Sequence, residues 1–181
     1  IPSEDGRELY RFDRSGRHLS TRDTLTGSVL HEFTYDAAGR LATLVEKTGG
    51  VDNVTTIQRD ASGHPTAIVA PFGQVTGLDV DANGYLSLIE NPANEAFTAT
   101  YTGGGLMETF TKPGNRTSAY QYEDDGRLKR AEDPVDGFQA LARSVFATGH
   151  DVTRTTALGL STRHIVEDLA VGTQRLTSVA P

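Results

Sequence analysis

Short runs of apolar and β-branched residues alternate with polar ones and are cut at regular intervals by glycine. Tyr10-Arg11-Phe12, Phe33-Thr34-Tyr35, Leu78-Asp79-Val80 and Tyr120-Gln121-Tyr122 each set two apolar side chains two residues apart. That period places both on one face of a β-strand. Leu41-Ala42-Thr43-Leu44-Val45 and Leu86-Ser87-Leu88-Ile89 continue the alternation after a glycine, and the abundant threonine suits strands. No segment sustains a helical period, although Phe138 to Phe146 leaves room for a short turn of helix.

The glycines carry the longer rhythm. Gly16, Gly39, Gly63, Gly84, Gly105 and Gly126 are separated by 23, 24, 21, 21 and 21 residues. Three residues before four of them stand Asp13, Asp36, Asp60 and Asp81; Thr102 and Glu123 hold that place before the last two. An aspartate there accepts backbone N–H bonds across a turn, and glycine supplies the left-handed residue that closes it. At Thr102 the run Gly103-Gly104-Gly105 suggests backbone freedom in place of the side-chain bond. A second set of turn signals falls between these phrases, at Thr26-Gly27, Gly49-Gly50, Pro71-Phe72-Gly73, Pro92-Ala93-Asn94, Pro113-Gly114-Asn115 and Pro134-Val135-Asp136-Gly137. Two turns per repeat leave two strands of ordinary length. The expected fold is therefore all-β: about seven serial antiparallel hairpins of 21–24 residues in a curved, twisted sheet or partial barrel. Residues 1–181 read as one repeat domain, clear over 1–137 and degenerate or capping over 138–181. An eroded copy lies at Phe146 to Asp151, and Arg163 to Leu176 reads as an eighth hairpin or an end cap.

Two phrases, Phe33-Thr34-Tyr35-Asp36-Ala37-Ala38-Gly39-Arg40-Leu41 and Tyr120-Gln121-Tyr122-Glu123-Asp124-Asp125-Gly126-Arg127-Leu128, resemble the motif of the YD-repeat or RHS-repeat family. The resemblance covers residues 9–137 well; Arg59 and Val80 depart from it where an aromatic is expected, and Gly63-His64-Pro65 departs from Gly-Arg-Leu. It implies stacked hairpins spiralling around a hollow. In RHS polymorphic toxins and insecticidal toxin complexes such a shell encloses a toxic C-terminal domain, and in teneurins a similar barrel supports adhesion. The implied role is a non-catalytic shell segment of a large exported bacterial protein, secreted or at the cell surface. The implied partner is the remainder of the parent chain, with further repeats and a C-terminal toxin. A cell-surface adhesion or carbohydrate-binding module, with a glycan or protein receptor, is the alternative. Tyr85, beside a turn, is the candidate glycan contact.

Composition narrows the chemistry. The net charge of -7, scattered along the chain, offers no basic patch for nucleic acid. The absence of cysteine excludes disulfides and thiolate metal sites. No stretch has the length of an apolar membrane span, no signal-peptide pattern opens the chain, and an initial Ile in place of Met reads as a fragment of a longer protein. Asp79, Asp81, Asn83 and Glu90, with Gly84 between, match the spacing of an EF-hand calcium loop. The flanking Pro71 and Pro92 deny it the two helices it needs, and the repeat itself accounts for Asp81 and Gly84. Glu132-Asp133-Pro134 echoes one element of the autocleaving protease that ends RHS shells, without the rest of that motif. His18, His31, His64, His150 and His164 lack metal-ligand spacing and read as surface residues, and no serine elbow or phosphate loop occurs. No enzyme activity and no cofactor are expected. Open end strands predict self-association through sheet edges. Asn53-Val54-Thr55 and Asn115-Arg116-Thr117 are sequons, relevant in a eukaryotic secretory host.

Overall fold

A computed structural model describes residues 1–180. The described residues form sixteen β-strands and no helix. The chain divides into two compact units, Ile1–Glu95 and the part from Ala96 onward. The first unit holds β1 (Glu8–Phe12), β2 (His18–Asp23), β3 (Val29–Tyr35), β4 (Leu41–Glu46), β5 (Asn53–Arg59), β6 (Pro65–Val69), β7 (Val75–Val80) and β8 (Leu86–Glu90). The second holds β9 (Ala96–Tyr101), β10 (Met107–Lys112), β11 (Arg116–Tyr122), β12 (Leu128–Glu132), β13 (Phe138–Phe146), β14 (Gly149–Thr156), β15 (Ser161–Asp168) and β16 (Gln174–Val179).

Within each unit every strand pairs antiparallel with the strand before it, so sheet order is sequence order. Serial hairpins are the outcome that short turns and local pairing favour. The region Phe138 to Phe146, where the sequence leaves room for a short helical turn, is a nine-residue strand. Gln139 to Phe146 pair residue by residue with Thr156 to Gly149 of β14, and this pairing overrides any local helical bias. The eroded copy at Phe146 to Asp151 is the β13–β14 hairpin, and β15 with β16 forms the eighth.

In each unit the strands form a single layer and the core is thin. Among the described residues Ala67 and Ala99 are the buried apolar ones, and no large side chain is fully buried. Most aromatic and aliphatic strand residues are half-covered by cross-strand neighbours. An ordinary domain stacks a second layer on such a face.

Alternate turns fall at opposite ends of the strands and make two rims for each unit. One rim carries the loops from odd to even strands, with the recurrent Asp and Gly. The other carries the loops from even to odd strands, with the prolines.

Candidate functional site: the Asp-Gly rim

Each Asp-Gly phrase closes as a five-residue loop. In the loop Asp36 to Arg40, the Asp36 N–H donates to the Arg40 carbonyl at 2.9 Å and the Gly39 N–H to the Asp36 carbonyl at 2.9 Å. The same two bonds recur at 13–17, 60–64, 81–85, 102–106 and 123–127. Gly16, Gly39, Gly63, Gly84, Gly105 and Gly126 have φ between 79° and 89°. A side chain at that φ is strained, which is why the glycine period is so strict.

The first loop residue locks the backbone. Asp36 Oδ1 accepts from the N–H groups of Ala38 and Arg40, both at 2.9 Å, and Oδ2 from Arg40 Nε at 2.8 Å. Asp13 makes the equivalent bonds to Ser15, Arg17 and the Arg17 side chain. Asp81 takes the N–H groups of Asn83 and Tyr85, and Asp60 that of His64. The backbone N–H groups of Arg17, Arg40 and His64 are the first cause that holds Asp13, Asp36 and Asp60 below the usual carboxylate range. Thr102 differs from the sequence expectation. Its Oγ1 still accepts from the Leu106 N–H at 3.1 Å, and of the three glycines only Gly105 is left-handed. The side-chain bond survives because a hydroxyl on Cβ reaches nearly as far as a carboxylate.

The aromatic before each loop has a separate task. A β-bulge stands at Phe12, Tyr35, Arg59, Val80 and Tyr122, so each pairs with the residue two past its own glycine. Pairing between successive hairpins stops short of this rim; β2 and β3 last pair at Ser20 and Glu32. The His18 carbonyl beyond that point accepts from the Tyr35 hydroxyl at 2.8 Å, and the Met107 carbonyl from the Tyr122 hydroxyl at 2.8 Å. Both carbonyls lie two residues past the previous hairpin's glycine. Arg59 replaces the tyrosine and donates Nη2 to the Leu41 carbonyl, the equivalent position, at 3.2 Å. The Arg that follows the glycine also crosses between hairpins. Arg40 Nη1 donates to the Gly63 carbonyl at 2.9 Å, and the Arg17 guanidinium lies 5.3 Å from the Tyr35 ring centroid. A Cβ at Gly63 would fall 1.6 Å from Arg40 Nη1, so a side chain there expels this arginine. The rim is a row of hairpins latched to one another by side chain and backbone.

Of the calcium-loop residues, Asp79 Oδ1 accepts from the Val80 N–H, Asp81 is committed to its turn, and Glu90 lies in β8 opposite Gly77. Among the described residues no three His, Cys, Asp or Glu side chains gather as a metal site. Tyr85 is half-buried at the fifth position of its loop. Glu123, one methylene longer than Asp, takes no N–H of its own turn; Asp125 accepts from the Arg127 N–H instead and pairs with the Arg127 side chain.

Two features were not legible in the sequence. His18 is not a free surface residue: its ring stacks between Phe12 and Phe33, with centroids 5.0 and 4.2 Å away, and Thr21 Oγ1 lies 3.2 Å from Nε2. Asp151, 5% exposed, is met by Arg163 Nη2 at 2.5 Å. Neither has a local motif, because both depend on which residues the register brings abreast.

Residues 1–179 match the family model described as the teneurin YD-shell. Curated relatives include mouse teneurin-4, 39% identical over 75 residues, chicken teneurin-1, 40% over 75, and Drosophila teneurin-m, 35% over 77. Each alignment covers 41% of this chain and 3% of the relative, so the chain matches a small part of those proteins. Two solved structures resemble the fold: a TcdB2-TccC3-Cdc42 complex, at TM-score 0.62 and 13% identity, and a Photorhabdus luminescens Tc holotoxin pore, at 0.61 and 13%. Both alignments cover 94% of this chain and 10% of the other. With nearly its whole length matched, this chain belongs to the teneurin YD-shell family.

Proposed function

We propose that residues 1–181 act as one run of repeats in the wall of a large exported YD-repeat protein, with further repeats of that protein as lateral partners. The carrying observation is the single layer in each unit: half-covered Tyr, Phe and Leu side chains, with no fully buried large residue among the described ones. A wall supplies what a lone layer lacks, namely neighbours along the sheet and contents against the apolar face. The Asp-Gly rim fits that role. Asp13, Asp36, Asp60 and Asp81 are spent on backbone N–H groups and Tyr35 and Tyr122 on carbonyls, which leaves them as fasteners and not as acids, bases or nucleophiles. A toxin pore among the structural neighbours supports an exported setting. Cryo-electron microscopy of the full parent protein tests the reading. The expected map shows β1 to β16 inside a longer wall with further strands on both sides. A segment standing apart, with both faces in solvent, overturns it.

A further inference from the structure

We propose that the second unit takes up an extended peptide strand in the gap between β12 and β13. The peptide alternates apolar with small polar residues, carries a Lys or Arg toward the turn 123–127 and sets an acidic residue beside Arg143. The inference is independent of the wall reading, because this edge lies between two strands of the sheet and not at its outer end.

The gap comes from an unequal pair of hairpins. β3, β5, β7 and β11 each leave three residues beyond their last pair with the preceding strand: 33–35, 57–59, 78–80 and 120–122. β13 last pairs with β12 at Ala140 and Arg130, then runs six residues further, 141–146, still in register with β14. Elsewhere Tyr35, Arg59 and Tyr122 reach across the opening to a carbonyl of the preceding hairpin. Phe146 holds that place in β13, and its side chain has no group to donate.

The freed half of β13 is built to pair. The Phe138 carbonyl accepts from the Ala157 N–H, on the β14 side. Backbone groups of an antiparallel strand alternate in direction residue by residue, so Arg143 and Val145 turn N–H and C=O away from β14 and into the gap. Such a row is a template for one more strand. Six residues span about 20 Å, an ordinary strand length. On one face a groove of about 710 Å³ lies between the turn 123–127 and β13, with Leu128, Leu141, Val145 and Val152 as its apolar lining. On the other face a groove of about 390 Å³ is lined by Lys129, Ala140, Ala142, Thr153 and Thr155 among others. An inserted strand therefore presents apolar side chains to the first face and small or polar ones to the second.

Charge fixes the rest. Arg127 pairs with Asp125, and Lys129 with Glu123 at 3.7 Å. Asp124 and Arg143 both line the larger groove, and among the described residues their side chains join no hydrogen bond or ion pair. A strand with a base toward Asp124 and an acid beside Arg143 gives each a partner. A nucleic acid would meet the carboxylates of Glu123, Asp124 and Asp125. A saccharide or a lipid has no repeating amide to complete the row on β13.

The test uses the whole 181-residue chain and a random heptapeptide library displayed on phage. Selection is expected to enrich alternating sequences with a base at one end. The enriched peptide, made synthetically, is then measured by calorimetry. Methylation of its backbone nitrogens is expected to abolish binding at alternate positions only, the signature of a strand paired along one edge. Arg143→Pro removes an N–H from the gap and none from the β13–β14 ladder, and is expected to weaken binding at least tenfold. Asp124→Asn is expected to weaken binding of a base-bearing peptide about threefold, with the difference lost at high salt. Circular dichroism checks that Arg143→Pro folds; if it does not, the methylation series decides alone. No enriched peptide, binding that tolerates methylation at every position, or binding unchanged in a folded Arg143→Pro overturns the proposal. Self-association of the chain that Arg143→Pro abolishes, with no peptide enriched, overturns it in favour of strand pairing between copies.

Discussion

The hairpins at 33–41 and 120–128 carry the two fullest copies of the motif, and they are fastened differently. Both tyrosine hydroxyls reach the preceding hairpin's stranded carbonyl at 2.8 Å, and both glycines are left-handed. The difference is one methylene. Asp36 locks its own turn with two backbone bonds and an arginine, whereas Glu123 overshoots and leaves the Arg127 N–H to Asp125. The loop bonds are nevertheless the same in both. The backbone conformation, fixed by glycine, is thus the invariant, and the acidic side chain is an interchangeable lock upon it. Asn91 extends the lesson, since an amide makes the same pair of bonds on the other rim.

If the glycine is the shared element, Gly39→Val and Gly126→Val should cost the same, about 2 kcal/mol each, since a β-branched residue is forced to positive φ. Urea unfolding followed by circular dichroism measures both. Gly39→Asn should cost much less, because Asn94 and Asn115 already hold φ of 59° and 58°. A large loss at one site with none at the other would mean that the acidic lock, not the glycine, sets the turn.

The hydroxyl latch comes next in size. Tyr35→Phe and Tyr122→Phe each leave a carbonyl without its donor, and each should cost about 1 kcal/mol in the same assay. Arg59 sharpens the point. Arg59→Tyr should come close to holding stability, because it keeps a donor for Leu41 and removes a buried Nε with no hydrogen-bond partner, while giving up that nitrogen's 3.9 Å ion pair with Asp36. Arg59→Met should lose as much as Tyr35→Phe.

That equivalence of Arg and Tyr marks where reading the chain stops. The Asp-Gly loops were legible because one loop geometry, used repeatedly, imposes the same two residues at a fixed period. The proline-rim loops 70–74, 91–95 and 133–137 share the outer backbone bond of the Asp-Gly loops. Their sequences hide it, since Ala70 offers no side-chain acceptor and Asn94 and Asp136 replace the glycine. Arg59 looked like a lost aromatic, although the position requires only a donor long enough to reach one carbonyl. His18 looked exposed because its stacking partners lie on β1 and β3. Tyr85 stood out by its place beside a turn, whereas the ring most open to solvent on the first unit's loops, Phe72, drew notice only as turn punctuation. Local rules expose what a turn demands; they are silent on what register brings abreast.

A smaller effect should come from giving the second hairpin the lock of the first. Glu123→Asp places a carboxylate where it can accept the Asp125 and Arg127 N–H groups, and should raise stability by about 0.5 kcal/mol. The gain should make Asp125 redundant: Asp125→Ala should cost more in the parent than beside Glu123→Asp. Additive effects in that double-mutant cycle would show that the two carboxylates do not share one N–H.

The subtlest change is Asp36→Asn, expected to cost a little at pH 7, where the charge is fully present, and to match the parent in acid, where the parent loses that charge too. Asn91 shows that an amide serves the turn, so the backbone bonds remain; the loss is the carboxylate oxygen and charge facing Arg40 and Arg59. The folded pKa of Asp36 is depressed, first by the Arg40 N–H, so its ionised form stabilises the fold fully above the unfolded value of about 3.9. That stabilisation fades as pH falls through the lower folded value, because protons then bind the unfolded chain first. Asp13 and Asp60 share the direction. Urea midpoints measured from pH 7 down to the acid limit should therefore fall less steeply in Asp36→Asn than in the parent, and flatter still when Asp13→Asn and Asp60→Asn are added. An unchanged slope in the triple variant would assign the acid sensitivity to carboxylates outside the rim, and the charge of the aspartate would then play no part in the difference between the two hairpins.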